Sequence, residues 1–267
     1  MRQLPTSSHR LYLFFRHSRY GMILFSGLFL GLLLLQRCSA DQLAAADTLE
    51  RQVLITWIAL ERGDMPTAAD YTESVHDNWH RLRKTYGQLS LNQEEQRFVG
   101  LLDLWTGKLL TAVNYEQRDN ALLAISLIQE ELRRTRPRYG LQHPADNLYA
   151  FYHQWESIIE ASSDPMMCLY EWTEYEELVD LAIKQWEDYQ ANQPRFMDTL
   201  FPGYGQNSQR VEEAGLDINK SLIAFKALMA KADHTEAVAP SLAIRALFFN
   251  YLALISNYPA TEIQTPQ

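Results

Sequence analysis

From residue 49 to residue 257 apolar side chains recur at intervals of three and four, and no stretch alternates with the period of two that a half-buried strand needs. Spacing of this kind admits helices and little else, so the expected fold class is all-α: an N-terminal apolar helix followed by about eight antiparallel helices. Leu49–Leu60 reads as the first of these, closed by Arg62-Gly63-Asp64, and Pro66 then sits in the first turn of a second that runs to about Tyr86. Gln93–Val113 and Asn120–Arg134 are the next two. The stretch Arg136–Asp146 carries two prolines and a glycine and reads as a linker. Four more helices come after it, about Leu148–Ala161, Pro165–Gln190, Ser208–Lys231 and Thr235–Asn257, and the last residues read as a frayed tail.

The two sets of four helices share letters. Tyr71, Glu73, Val75 and Leu82 match Tyr175, Glu177, Val179 and Trp186 without a gap; Leu102-Asp103-Leu104 then matches Leu216-Asp217-Ile218, and Leu123-Ala124-Ile125 matches Leu242-Ala243-Ile244. Two readings stay open, a diverged duplication and convergent amphipathic patterning. Under the first, residues 41–138 and 147–258 are two four-helix repeats joined by a linker at 139–146, arranged as a helical-hairpin solenoid or as paired bundles, with 259–267 as the tail. The turn Ala59–Asp64 resembles the helix-A turn of tetratricopeptide-type repeats, but the rest of that consensus is absent and the resemblance implies no family.

Placement rests on the N-terminal end. Residues 1–20 hold Arg2, Arg10, Arg16 and Arg19 with no acidic residue; the apolar run Gly21–Leu35 is next, then Gln36-Arg37-Cys38-Ser39-Ala40-Asp41. Positive charge before an apolar segment keeps that end cytoplasmic and sends the remainder of the chain across the membrane. Residues 21–40 are thus a signal-anchor or a signal peptide. A spanning helix needs ~20 apolar residues, which Tyr20 and Gln36 at the interfaces would help complete. Small residues at Cys38 and Ala40 equally suit cleavage at Ala40–Asp41. A lipid anchor on Cys38 fits worst, because Arg37 occupies the place that needs a small residue. The expected location is the inner membrane, with the helical domain on the periplasmic or extracytoplasmic side. The alternative is a soluble periplasmic protein after cleavage.

Setting aside the five arginines that precede Asp41 leaves 19 Lys and Arg against 33 Asp and Glu, a net charge of −14 on the remainder. Such a domain repels phosphate backbones, so no nucleic-acid partner is expected. Only Cys168 lies beyond Cys38, so no disulfide forms within the translocated part.

Chemistry-bearing patterns are sparse. Glu73-x-x-His76-x-x-x-His80 has the Glu-x-x-His spacing of di-iron bundles, but the core stripe of its helix is Tyr71, Val75, Trp79, Leu82 and Tyr86. The three candidate ligands lie about 100–160° away from that stripe, toward solvent, so any site there would be a surface one. Met166-Met167-Cys168 has no second soft cluster to complete a coordination sphere, and His143, His153 and His234 form no axial pattern. Pro202-Gly203-Tyr204-Gly205 comes after no strand and is no nucleotide loop. No catalytic residue, metal site or cofactor is expected. Two loops carry the binding expectation: the basic cluster Arg133, Arg134, Arg136 and Arg138, and the loop Ala191–Gln206 with Phe196, Phe201 and Tyr204, which reads as a cap on the end of a bundle or as a lid or binding edge. The last helix, Leu242–Ile255, is apolar nearly all round apart from Arg245 and Asn250, and reads as a buried central helix or a partner-facing one, too short and too interrupted to span a bilayer.

The function these features suggest is a non-enzymatic, exported, membrane-associated helical-repeat adaptor or assembly protein that binds another protein. The alternative is a small-ligand-binding or sensory domain with a pocket beside Ala191–Gln206.

Overall fold

The computed structural model describes residues 45–86, 91–139, 143–164, 169–191, 200–229 and 236–259. Gly21–Leu35, Met166-Met167-Cys168 and Phe196 lie outside the described residues. The chain divides into two compact units, Met1–Ala46 and Asp47–Gln267, and the second is the helical body.

The body is all-α, with no strand among the described residues. Helix α1 runs through residues 45–62, followed by α2 (Met65–Tyr86), α3 (Gln93–Asn114), α4 (Arg118–Thr135), a 3-10 turn (Arg136–Tyr139), α5 (Pro144–Ser163), α6 (Leu169–Ala191), the single turn α7 (Gly203–Gln206), α8 (Ser208–Met229) and α9 (Val238–Ile255). Local chemistry sets the ends. Gly63, at φ +71°, takes the left-handed position that closes α1, and the Gly63 and Asp64 amides donate back to Leu60 and Ala59. Asn92 and Glu95 form a reciprocal cap at the start of α3. The segment expected to be a linker contains the 3-10 turn, and Pro144 opens α5 inside it.

The most enclosed helix is α1. Every residue from Val53 to Leu60 is buried, a continuous Val-Leu-Ile-Thr-Trp-Ile-Ala-Leu run with no polar face. Four helices surround it. Gln52 accepts from Asn78 of α2, Arg118 of α4 caps its C-terminal end, Tyr149 and Tyr152 of α5 bond its glutamates, and Trp57 packs edge-on against Phe248 and Phe249 of α9. First and last helices therefore touch. An open solenoid, in which each repeat meets only its neighbours, has no such contact. Of the two arrangements expected, this contact disfavours the open solenoid.

Helix α9 departs from the buried central setting. It is 18 residues long with a mean hydropathy of 1.6, and among the described residues it is the one helix long and apolar enough to cross a membrane. It is not enclosed: Leu242, Ala243, Ala246 and Asn250 are exposed along one side, while Ile244, Phe248, Tyr251, Leu252 and Ile255 face inward. An apolar sequence marks both helices. Only the number of neighbours distinguishes them.

Burial also bears on the duplication. Val75 of α2 and Val179 of α6 both face the core, as their match requires. In α3 and α8 the register is opposed: Leu102 is buried where Leu216 is exposed, and Leu104 is exposed where Ile218 is buried. Equivalent positions of a duplicated fold keep their burial. The α3/α8 match therefore pairs letters, not faces.

The described end of the Ala191–Gln206 loop is fixed by close approach. A Cβ built on Gly203 would fall 1.7 Å from the Leu254 carbonyl oxygen of α9. Gly203→Ala must push α7 off α9, an overpacking whose cost is about 1–3 kcal/mol or more. Chemical denaturation should show that loss with the fold otherwise intact; an unchanged midpoint would mean α7 does not sit against α9 in solution.

Candidate functional site

Two ionic assemblies join the helices, and both centre on α1. Glu50 and Glu61 are eleven residues apart, which places them within about 20° of each other on the helix surface. Glu50 pairs with Arg136, which also holds Asp146 at the start of α5, and the Tyr149 hydroxyl donates to the second Glu50 oxygen at 2.9 Å. Beside them His143 Nε2 lies 3.6 Å from Asp47. Burial pulls the His143 pKa below the usual imidazole value despite that carboxylate, and burial raises the Tyr149 hydroxyl.

At the other end, Glu61 Oε2 meets Arg245 at 2.8 Å and Arg118 at 3.3 Å, and Oε1 accepts from the Tyr152 hydroxyl at 3.2 Å. Arg118 also donates to the Leu60 carbonyl at 2.6 Å, so a cation sits where the dipole of α1 favours one. Arg245 continues to Glu156 at 2.9 Å. Burial raises the Glu156 carboxyl, partly offset by Arg245, and burial together with Glu61 raises the Tyr152 hydroxyl. Shifted groups of this kind often mark active sites. Here Glu61 is almost wholly enclosed and both of its oxygens are engaged by donors from other helices. The arrangement joins α1 to α4, α5 and α9.

The basic cluster is divided among different tasks. Arg133 and Arg134 make i,i+3 pairs with Glu130 and Glu131 on α4, half-buried and reachable from solvent. Arg136 has turned inward, its side chain 12% exposed and committed to Glu50 and Asp146. Arg138 lies in the 3-10 turn. No single basic surface unites Arg136 with Arg133 and Arg134.

In the second loop Leu200 and Phe201 are fully buried, and Tyr204 nearly so. Three hydroxyls close a ring: Tyr189 to Tyr204 at 2.6 Å, Tyr204 to Tyr251 at 2.5 Å and Tyr251 to Tyr189 at 3.0 Å. Burial raises Tyr189 and Tyr251 far above the ordinary phenol value. The ring satisfies three polar groups in an apolar setting and ties α6, α7 and α9 together. This end of the loop caps the bundle.

Open surface lies elsewhere. Between α3 and α4 a groove of about 720 Å³ is lined by Leu104, Trp105, Ala112, Leu123 and Ala124, with Asp103, Lys108 and Thr111 among its polar members. Leu104 is 46% exposed and Leu123 is 59% exposed; Tyr115, at the α3–α4 turn, is 73% exposed. A second groove of about 490 Å³ runs between α8 and α9, lined by Ala224, Phe225, Leu228, Pro240, Ala243 and Ile244, with Ser221 as its polar edge. Asp103 is already engaged by Trp79 Nε1 at 2.7 Å and Arg83 at 2.5 Å. These grooves can receive apolar side chains.

Leu104 and Leu123 were legible in part. Helices α3 and α4 carry more leucines than one buried face holds, as in Leu101-Leu102-Asp103-Leu104 and Ala121-Leu122-Leu123-Ala124. Which leucine is left outside depends on where the neighbouring helices lie.

No protein-family model, curated protein or solved structure matches this chain.

Replacing Arg136 by Met leaves Glu50 and Asp146 buried without their cation, and urea unfolding should show a loss of about 3–5 kcal/mol. Arg133→Ala should cost under about 1 kcal/mol, since its pair with Glu130 is open to solvent. Equal small effects at both positions would show that Arg136 is not spent on the interior.

Proposed function

We propose that this protein is a non-enzymatic adaptor, held at a membrane by its N-terminal segment, that docks another protein through the groove between α3 and α4. The observation that carries the proposal is the exposure of Leu104 and Leu123 on facing helices of one groove, with Tyr115 at the turn that joins them. Single exposed leucines are ordinary on protein surfaces, but two converging on a concave surface resemble the apolar slot into which a partner helix lays its own leucines. The groove's small residues, Gly107, Ala112 and Ala124, let a partner backbone approach closely. The net charge of −14 after residue 40 disfavours nucleic acid and anionic headgroups as occupants of an apolar slot.

The membrane part of the proposal rests on residues 1–41 alone. Basic residues precede Gly21–Leu35 and none of the 33 acidic ones does, which directs the helical body to the extracytoplasmic side. A partner would then be met on that side, by a body tethered close to the bilayer.

Photo-crosslinking residues introduced at Leu104 and Leu123 of the full chain, in its own membrane fraction, test the docking face. Each should give one discrete adduct with the same partner, and a Leu123→Arg substitution should abolish the adduct formed from position 104. A probe at exposed Glu212 of α8 should give none. Equal labelling from all three positions, or none from the groove, would overturn the proposal.

A further inference from the structure

On the solvent face of α2, His76 and His80 are one turn apart and their Nε2 atoms approach to 3.1 Å, with ring centroids 4.3 Å apart and ring planes nearly perpendicular. Two ring nitrogens at that distance cannot both carry protons or both present bare lone pairs. One donates N–H to the other, and the acceptor ring then carries its proton on Nδ1. The second ring nitrogen of His76 faces a carboxylate: Nδ1 lies 3.8 Å from Asp77 Oδ1. A carboxylate beside the second imidazole nitrogen is a common means of orienting metal-ligating histidines.

We infer that His76 and His80 form a surface chelate for a divalent transition ion of the copper(II) class, with Asp77 positioning His76. The ion takes the place of the shared proton, and the donor ring moves its own proton to Nδ1 through solvent, so a neutral pair binds without losing net protons. Histidines at i and i+4 on one helical face are the spacing by which a helix offers two imidazoles to one metal. The geometry favours particular ions. At metal–nitrogen distances of about 2.0–2.1 Å, a nitrogen separation of 3.1 Å subtends about 95–100° at the ion. That suits the cis positions of tetragonal copper(II) or nickel(II) better than a tetrahedral zinc centre, and copper(II) is the strongest binder of the series.

No group of three or more His, Cys, Asp or Glu that could hold a metal occurs among the described residues. With His76 and His80 as its protein ligands, the ion completes its coordination with water. Such a site is open. It is exchangeable, not a fold-holding one, and it lies on α2 away from the buried stripe of Val75 and Trp79.

Titration of the full chain with copper(II) against a weak competing chelator, followed by electron paramagnetic resonance, tests the inference. One ion per chain should bind with a two-nitrogen hyperfine pattern. His76→Gln and His80→Gln should each weaken binding at least tenfold, and Asp77→Asn should weaken it severalfold with the two-nitrogen pattern kept. Both histidines lie on the solvent side, so thermal unfolding of the metal-free variants should match the parent, while copper(II) should raise the midpoint of the parent alone. One-to-one binding that persists in the doubly substituted chain, a spectrum without two nitrogens, or no binding at all would overturn it.

Discussion

Glu50 and Glu61 enter the interior of the body on α1, and an ionised carboxylate there costs several kcal/mol unless its oxygens are met by cations and hydrogen-bond donors. Both needs are met by other helices: Arg136 and Tyr149 at Glu50, Arg118, Arg245 and Tyr152 at Glu61. Each carboxylate thereby fixes the position of elements far away in sequence. Between them lies the run Val53–Leu60, which has no face to give to water. Apolar burial supplies the driving force along α1, and the two charged ends set the register in which α4, α5 and α9 dock on it.

The outer surface is a consequence of that enclosure. With α1 surrounded by α2, α4, α5 and α9, the α3–α4 and α8–α9 pairs each keep an open groove. Apolar residues beyond the need of the core remain there, Leu104 and Leu123 in one groove and Ala243 in the other. The shifted groups Glu156, Tyr152 and Tyr149 point the other way, into the ionic assemblies that join the helices.

Helix positions were largely legible, because period, glycine and proline act locally: Gly63 closes α1, Pro66 lies in the first turn of α2, and Asn92 with Glu95 starts α3. The identity of the enclosed helix was not. Val53–Leu60 and Leu242–Ile255 are both apolar nearly all round, and only the number of neighbours separates them. The basic cluster divides for a related reason. Sequence shows that Arg136 stands near Arg133 and Arg134, but not that Glu50, 86 residues earlier, waits for it in the interior. Phe201 and Tyr204 read as a cap or as a binding edge, and in the structure Phe201 is buried and Tyr204 joins the inward ring with Tyr189 and Tyr251. Long-range pairing decides these cases, and no short-range pattern encodes it.

The central claim is that α1 is the axis on which the body assembles. Native-state hydrogen exchange followed by mass spectrometry addresses it directly, because amides of an enclosed helix exchange only when the whole body opens. Peptides spanning residues 49–62 should be among the slowest to exchange, slower than those of α3, and their rates should report the global unfolding free energy. Exchange of α1 at or above the rate of α3 would contradict that role.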